Sequence, residues 1–179
     1  MELSQAINKR YSYRGKFTDA IVPRCDLVKI VKAGLAAPSG CNRQTPQFIA
    51  LDDKNLIAEF AKIIGLPKTA TATAAICVVS CPKPAVDGKS YAAQDYAAAI
   101  ENMLLTIVDL GYATCWIEGQ IHADGVNEKL EALLNLPQNV NLAVYLPLGV
   151  AEEPQANPVK SKILPNRGWF NKYGEEEIK

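Results

Sequence analysis

The chain has 179 residues, 49% of them hydrophobic, enough for one globular domain with a substantial core. Nineteen Lys and Arg balance nineteen Asp and Glu, so no net field draws the protein to nucleic acid or an anionic membrane, although a local basic cluster can still hold an anion. MELSQAINKRYSYR has no continuous apolar run of the kind a secretory leader needs, and the cytoplasm is the expected compartment.

Leu3, Ala6 and Ile7 share one face of a short amphipathic helix, with Ser4 as its expected cap. It leads into KRYSYRGKF, where Lys9, Arg10, Arg14 and Lys16 surround Ser12 and Gly15. Such a cluster is either a solvated turn or a group of donors for a phosphate. Pro23 precedes a second helix, CDLVKIVKAGLAA, with an apolar stripe at Leu27, Ile30, Val31 and Leu35, and Pro38 ends it. The next stretch, PSGCNRQTP, offers Ser39, Asn42 and Gln44, which can donate and accept hydrogen bonds. It is either an ordinary helix-to-strand loop or the lip of a site for a planar ligand with polar edges.

QFIALDD reads as the first strand, and DKNLIAEFAKIIG as a third helix capped by Asp52 or Asp53 and closed by Gly65. AAICVVSCP is a nearly continuous apolar run, as in a strand buried on both faces. Cys77 and Cys81 on such a strand stand ~13 Å apart, too far to share a metal ion. The five cysteines, with Cys25, Cys41 and Cys115, are odd in number, lack CxxC spacing and read as reduced thiols.

The longest helix runs from Ser90 to Gly111, apolar on most of its circumference, with one polar stripe of Asp95, Asn102, Thr106 and Asp109. Gly111 is its expected cap, and a strand from Ala113 to Ile117 follows, ending at Glu118-Gly119. ADGVNEKLEALLN is a further helix, NLAVYLPLGV a fourth strand, and residues 154–179 an extended arm that carries Trp169 and Phe170. Helices alternating with four strands give a three-layer sandwich, its strand order open between parallel, mixed and antiparallel.

KRYSYRGKF, APSGCNRQTPQFIAL, DYAAAIENMLLTIVDLGYATCWIEG and YLPLGVAEE with its basic arm, in this order, resemble the nitroreductase family of flavin enzymes over essentially the whole chain. The resemblance implies an α+β sandwich with a mainly antiparallel sheet, one unit over residues 1–179. It also implies an intertwined homodimer with FMN at each interface, and NAD(P)H as transient electron donor to a small acceptor. Arg10 and Ser12 look like ligands of the flavin phosphate and ribityl chain, completed by Lys160 and Lys162, and Arg14 like the residue near the pyrimidine edge. Pro38, Ser39, Asn42 and Gln44 match the loop along the flavin. Trp116, Ile117, Glu118 and Gly119 match the opposite edge, where a backbone N–H near Glu118 and Gly119 is expected to address N5.

No side chain is assigned as catalytic, and no metal, nucleic-acid or membrane partner is expected. Glu118 stays open between site residue and solvent-facing carboxylate, and His122 between proton donor and helix start. Trp169 and Phe170 are assigned to packing. The chain departs from the family in following Thr45 with Pro46, and in leaving no room between Gly65 and Ala74 for a helical lid. The rival readings are a relative with a different flavin reaction, a flavin-storage protein, and an interaction module with no cofactor.

Overall fold

The computed structural model describes residues 1–85, 88–154 and 167–178; the expected phosphate ligands Lys160 and Lys162 lie outside them. Four strands, β1 (Pro46–Leu51), β2 (Ala74–Ser80), β3 (Ala113–Thr114) and β4 (Asn141–Gly149), form one antiparallel sheet in the order β1-β2-β4-β3. Every residue of β2 is buried, as its unbroken apolar run requires. Its side chains alternate between the faces, Ala75, Cys77 and Val79 entering one core and Ala74, Ile76 and Val78 the other.

Each core is closed by two helices. On the first face lie α3 (Lys54–Ile64) and α5 (Val126–Leu133), contributing Ile57, Phe60, Ile64 and Leu130. On the second lie α2 (Arg24–Leu35) and α4 (Ala92–Asp109), contributing Leu27, Ile30, Ile100, Met103 and Ile107. These are the three expected layers. Asp53, not Asp52, caps α3: its carboxylate accepts from Asn55 N–H at 2.8 Å and Leu56 N–H at 3.3 Å, and Gly65 ends the helix in the left-handed region.

Several expectations are corrected. Helix α1 (Leu3–Lys9) starts after Glu2, so Ser4 lies inside it rather than capping it. Leu35 is 64% exposed, because the core face of α2 runs through Leu27, Ile30 and Gly34, at steps of three and four. A Cβ on Gly34 would lie 2.7 Å from Met103 Sδ, so the glycine leaves the space that the Met103 side chain of α4 fills. Strand β3 stops at Thr114; the chain leaves the sheet and rejoins it at Ile117, which exchanges backbone bonds of 3.1 and 2.9 Å with Tyr145. The arm is not simply extended, since β5 (Trp169–Phe170) and β6 (Glu176–Glu177) pair as a small hairpin.

Among the described residues no helix is long and apolar enough to cross a membrane. Tyr112, just past α4, donates its hydroxyl to Asp26 Oδ2 at 2.8 Å. Burial first, and then this bond, push its pKa up from an ordinary 10 to about 12. Between those values the unfolded chain releases a proton that the folded chain keeps, so stability falls as pH rises through the window. Urea midpoints at pH 9 and pH 11 should converge more in Tyr112→Phe than in the wild type; equal losses would exclude the Tyr112 contribution.

Candidate functional site

The basic turn is built on a buried aromatic. Tyr13 N–H donates to Thr114 O at 2.8 Å, and its ring meets Phe17 edge-on at 5.1 Å. Its hydroxyl bonds Lys16 O, and the ring covers Gly15, where a Cβ would sit 2.6 Å from the Tyr13 Cζ. With Tyr13 turned inward, Arg14 faces out. Burial pushes the Cys115 thiol above its ordinary pKa, against the downward pull of the nearby Arg14 charge and Ser12 hydroxyl. Ser12, Arg14 and Cys115 are thereby neighbours. Arg10 turns toward α4 instead, its Nε 3.4 Å from Glu101 Oε1.

Beside this turn lies a cavity of ≈ 380 Å³ lined by Arg14, Lys68, Thr69, Trp116, Ile117 and Gln120, among others. Lys68 comes from a 3-10 turn, Pro67–Thr71, in the interval judged too short for a lid. One turn of helix fits there and forms a wall. Nothing in the pattern GLPKTAT marks Lys68; only the fold brings it to the cavity that Arg14 also lines.

The loop after α2 contains a 3-10 turn, Gly40–Asn42, and three non-glycine residues with positive φ: Cys41 at 51°, Asn42 at 52° and Gln44 at 50°. Each costs of order 1 kcal/mol or more and persists only where the surroundings hold it. Within the loop, Gln44 N–H donates to Ser39 Oγ at 3.0 Å and Gln44 Nε2 to Asn42 Oδ1 at 3.2 Å. Pro38, Asn42 and Gln44 are exposed and Ser39 half-buried, so the loop presents a polar edge. Pro46 opens the edge strand β1, where a missing N–H is tolerated.

The polar stripe of α4 is buried at its start and engaged along its length. Asp95 is 2% exposed and accepts from Gly40 N–H at 2.7 Å and Thr45 Oγ1 at 2.6 Å. Asn102 donates to Ala33 O at 3.2 Å, Thr106 to Asn102 O at 2.9 Å, and Asp109 pairs with the amino terminus.

Glu118 is half-buried, with both carboxylate oxygens engaged: Tyr96 Oη donates to one at 3.0 Å and Trp116 Nε1 to the other at 2.9 Å. Burial, then this bond, raise the Tyr96 phenol pKa. A Cβ on Gly119 would meet nothing within 4 Å, leaving room for close approach from outside. His122 lies in the turn ahead of α5, Nε2 3.2 Å from Ala143 O, and does not begin that helix. Among the described residues no group of His, Cys, Asp or Glu could hold a metal ion.

The structure therefore gathers Arg14, Trp116 and Ile117 around one cavity, with Ser12 beside it. Loop 39–45 and segment 116–118 are both anchored on the start of α4, through Asp95 and Tyr96. Sequence reasoning missed Lys68 and Tyr96, and it placed Asp95 in the polar stripe of α4 without giving it a partner.

An antiparallel sheet between two helical layers, with a cation-flanked cavity at one edge, is the class of fold described so far, and comparison with known proteins gives it a family. The chain belongs to the nitroreductase family, whose model matches residues 7–75 and 65–150. A protein of Archaeoglobus fulgidus, provisionally named NADH dehydrogenase/NAD(P)H nitroreductase, is 29% identical over 138 residues, covering 76% of this chain and 79% of the relative. The crystal structure of a BluB-like flavoprotein from Clostridium difficile superposes with a TM-score of 0.77 at 25% identity, covering 89% of this chain and 94% of that one. An FMN-dependent nitroreductase of the same species shares the fold with a TM-score of 0.81 at 24% identity, covering 94% and 98%.

Proposed function

We propose that the protein is an FMN-dependent oxidoreductase acting as a homodimer. The observation that carries this reading is the convergence of Arg14, Lys68 and Trp116 on one cavity in a chain of this family. These residues fit a flavin: two cations suit its electron-rich pyrimidine edge, an indole suits its apolar ring, and Gly119 leaves space for close approach. When bound, FMN supplies a carrier for hydride from NAD(P)H and for electrons to a small acceptor such as a nitroaromatic or a quinone.

Arg14 and Lys68 would stabilise negative charge at the pyrimidine edge, and the N–H groups near Glu118 and Gly119 would donate to N5. Ser39, Asn42 and Gln44, beside Pro38, would bond the ring's polar rim. Arg10, Ser12, Lys160 and Lys162 would hold the phosphate, Arg10 sharing its charge with Glu101. Exposed Leu3, Ile7, Val28 and Leu35 support burial against a second copy. Similarity to the BluB-like flavoprotein favours a second reading, a different reaction at the same flavin site.

Stopped-flow reduction of the FMN-loaded protein by NADH and by NADPH, followed by reoxidation with nitroarenes and quinones, tests the assignment. Fast reduction without reoxidation by either acceptor would favour the second reading, and protein that takes up no FMN would end both. Arg14→Ala should lower the flavin reduction potential, because the charge that favours the reduced form is gone. An unchanged potential in spectroelectrochemical titration removes Arg14 from that role.

A further inference from the structure

Two successive residues of α4 hold loop 39–45 and segment 116–118. Asp95 binds loop 39–45 near both ends, through Gly40 N–H at 2.7 Å and Thr45 Oγ1 at 2.6 Å, and Asp95 and Thr45 are buried to within 2% of full enclosure. Between those anchors lie the three residues with φ near +50°. A tethered loop keeps such a conformation, and a free one relaxes out of it. Gly40 also packs so closely on Tyr91 that a Cβ there would lie 2.8 Å from the Tyr91 Cβ. Tyr96 reaches the other segment, its hydroxyl 3.0 Å from Glu118 Oε1. The second Glu118 oxygen fixes Trp116 through Nε1 at 2.9 Å, and Trp116 is a wall of the cavity.

We propose that Asp95 and Tyr96 are positioning residues: through them α4 fixes loop 39–45 and the Trp116 wall, so that the two segments that the flavin reading sets against the ligand are in place before it arrives. The identity of the ligand rests on the flavin reading; the locking concerns this chain alone. Side chains held in place before binding give up less freedom on binding, which appears as affinity. Asp95 sits in the first turn of α4, where the positive end of the helix favours a carboxylate. Tyr96 makes its one bond to a charged acceptor, the stronger kind.

The test uses Tyr96→Phe, Asp95→Asn and the milder Thr45→Val, in a Trp169→Phe background where Trp116 is the remaining tryptophan. Without FMN, Tyr96→Phe should lower the fluorescence anisotropy of Trp116. Asp95→Asn and Thr45→Val should speed amide exchange at Gly40 by about tenfold or more, while amides in the middle of α4 keep their protection. With FMN, Kd should rise by about tenfold for Tyr96→Phe and for Asp95→Asn. If Asp95→Asn does not fold, Thr45→Val alone carries the loop arm. Unchanged Gly40 exchange and Trp116 anisotropy would overturn the locking. Changes in both with an unchanged FMN Kd would overturn the positioning role. A wild-type protein that binds no FMN, yet shows both changes in its variants, would leave the lock standing and remove the flavin reading.

Discussion

Arg14→Glu combined with Lys68→Glu should raise the Kd for FMN by at least about a hundredfold, because two charge-assisted contacts are lost and two repulsive ones introduced. Both side chains are exposed and project from backbone held by other residues, Arg14 beside the buried Tyr13 and Lys68 in the 3-10 turn at Pro67–Thr71. The fold should therefore survive, and far-UV circular dichroism should match the wild type. Each single variant should lie between the two extremes. Flavin fluorescence quenching reads the affinity directly, and a double variant within threefold of wild type would show that this cavity is not where the cofactor binds.

Phe60→Ala should be the most destabilising single truncation on the α3 face of the sheet. Phe60 is fully buried, and its ring lies 5.1 Å from that of Tyr145, joining α3 to β4. Removing a buried phenyl ring costs about 3–5 kcal/mol in transfer and cavity terms, a large part of the about 5–15 kcal/mol that a domain has. The urea midpoint should fall with the slope unchanged, since the unfolded chain exposes the same surface. A loss below about 1 kcal/mol would mean that neighbouring side chains collapse into the space.

What could be read from the sequence follows physical range. The apolar runs of β2 and β4, the Asp53 cap and the Gly65 stop are signals carried by residues near one another in the chain, and the three layers follow from them. Antiparallel pairing followed only from the family resemblance, because the spacing between strands left it open. The role of Asp95 was not legible, because a carboxylate in register with Asn102, Thr106 and Asp109 shows only that the helix has a polar stripe. Its burial comes from a loop some 50 residues earlier that folds onto it. Leu35 failed as well: the more apolar residue lost the core face to Gly34, where the side chains of Met103 and Phe48 fill the space a Cβ would need. The site divides the same way. Arg14 and Trp116 fell in recognisable segments, whereas Lys68 acquires its role only by reaching the same cavity as Arg14 in space.

The register of the sheet has a consequence for how the chain comes to be folded. The two most enclosed strands pair across a long interval, Ala74 opposite Leu148 and Ser80 opposite Asn141. On the ribosome the first half of the chain can form the β1–β2 ladder and its helices, yet one flank of β2 stays bare until β4 has been synthesised. The nascent protein thus carries an apolar strand with one flank unpaired from the completion of β2 at Ser80 until β4 ends at Gly149, and it is in this interval, rather than as the finished molecule, that the strand is open to wrong partners.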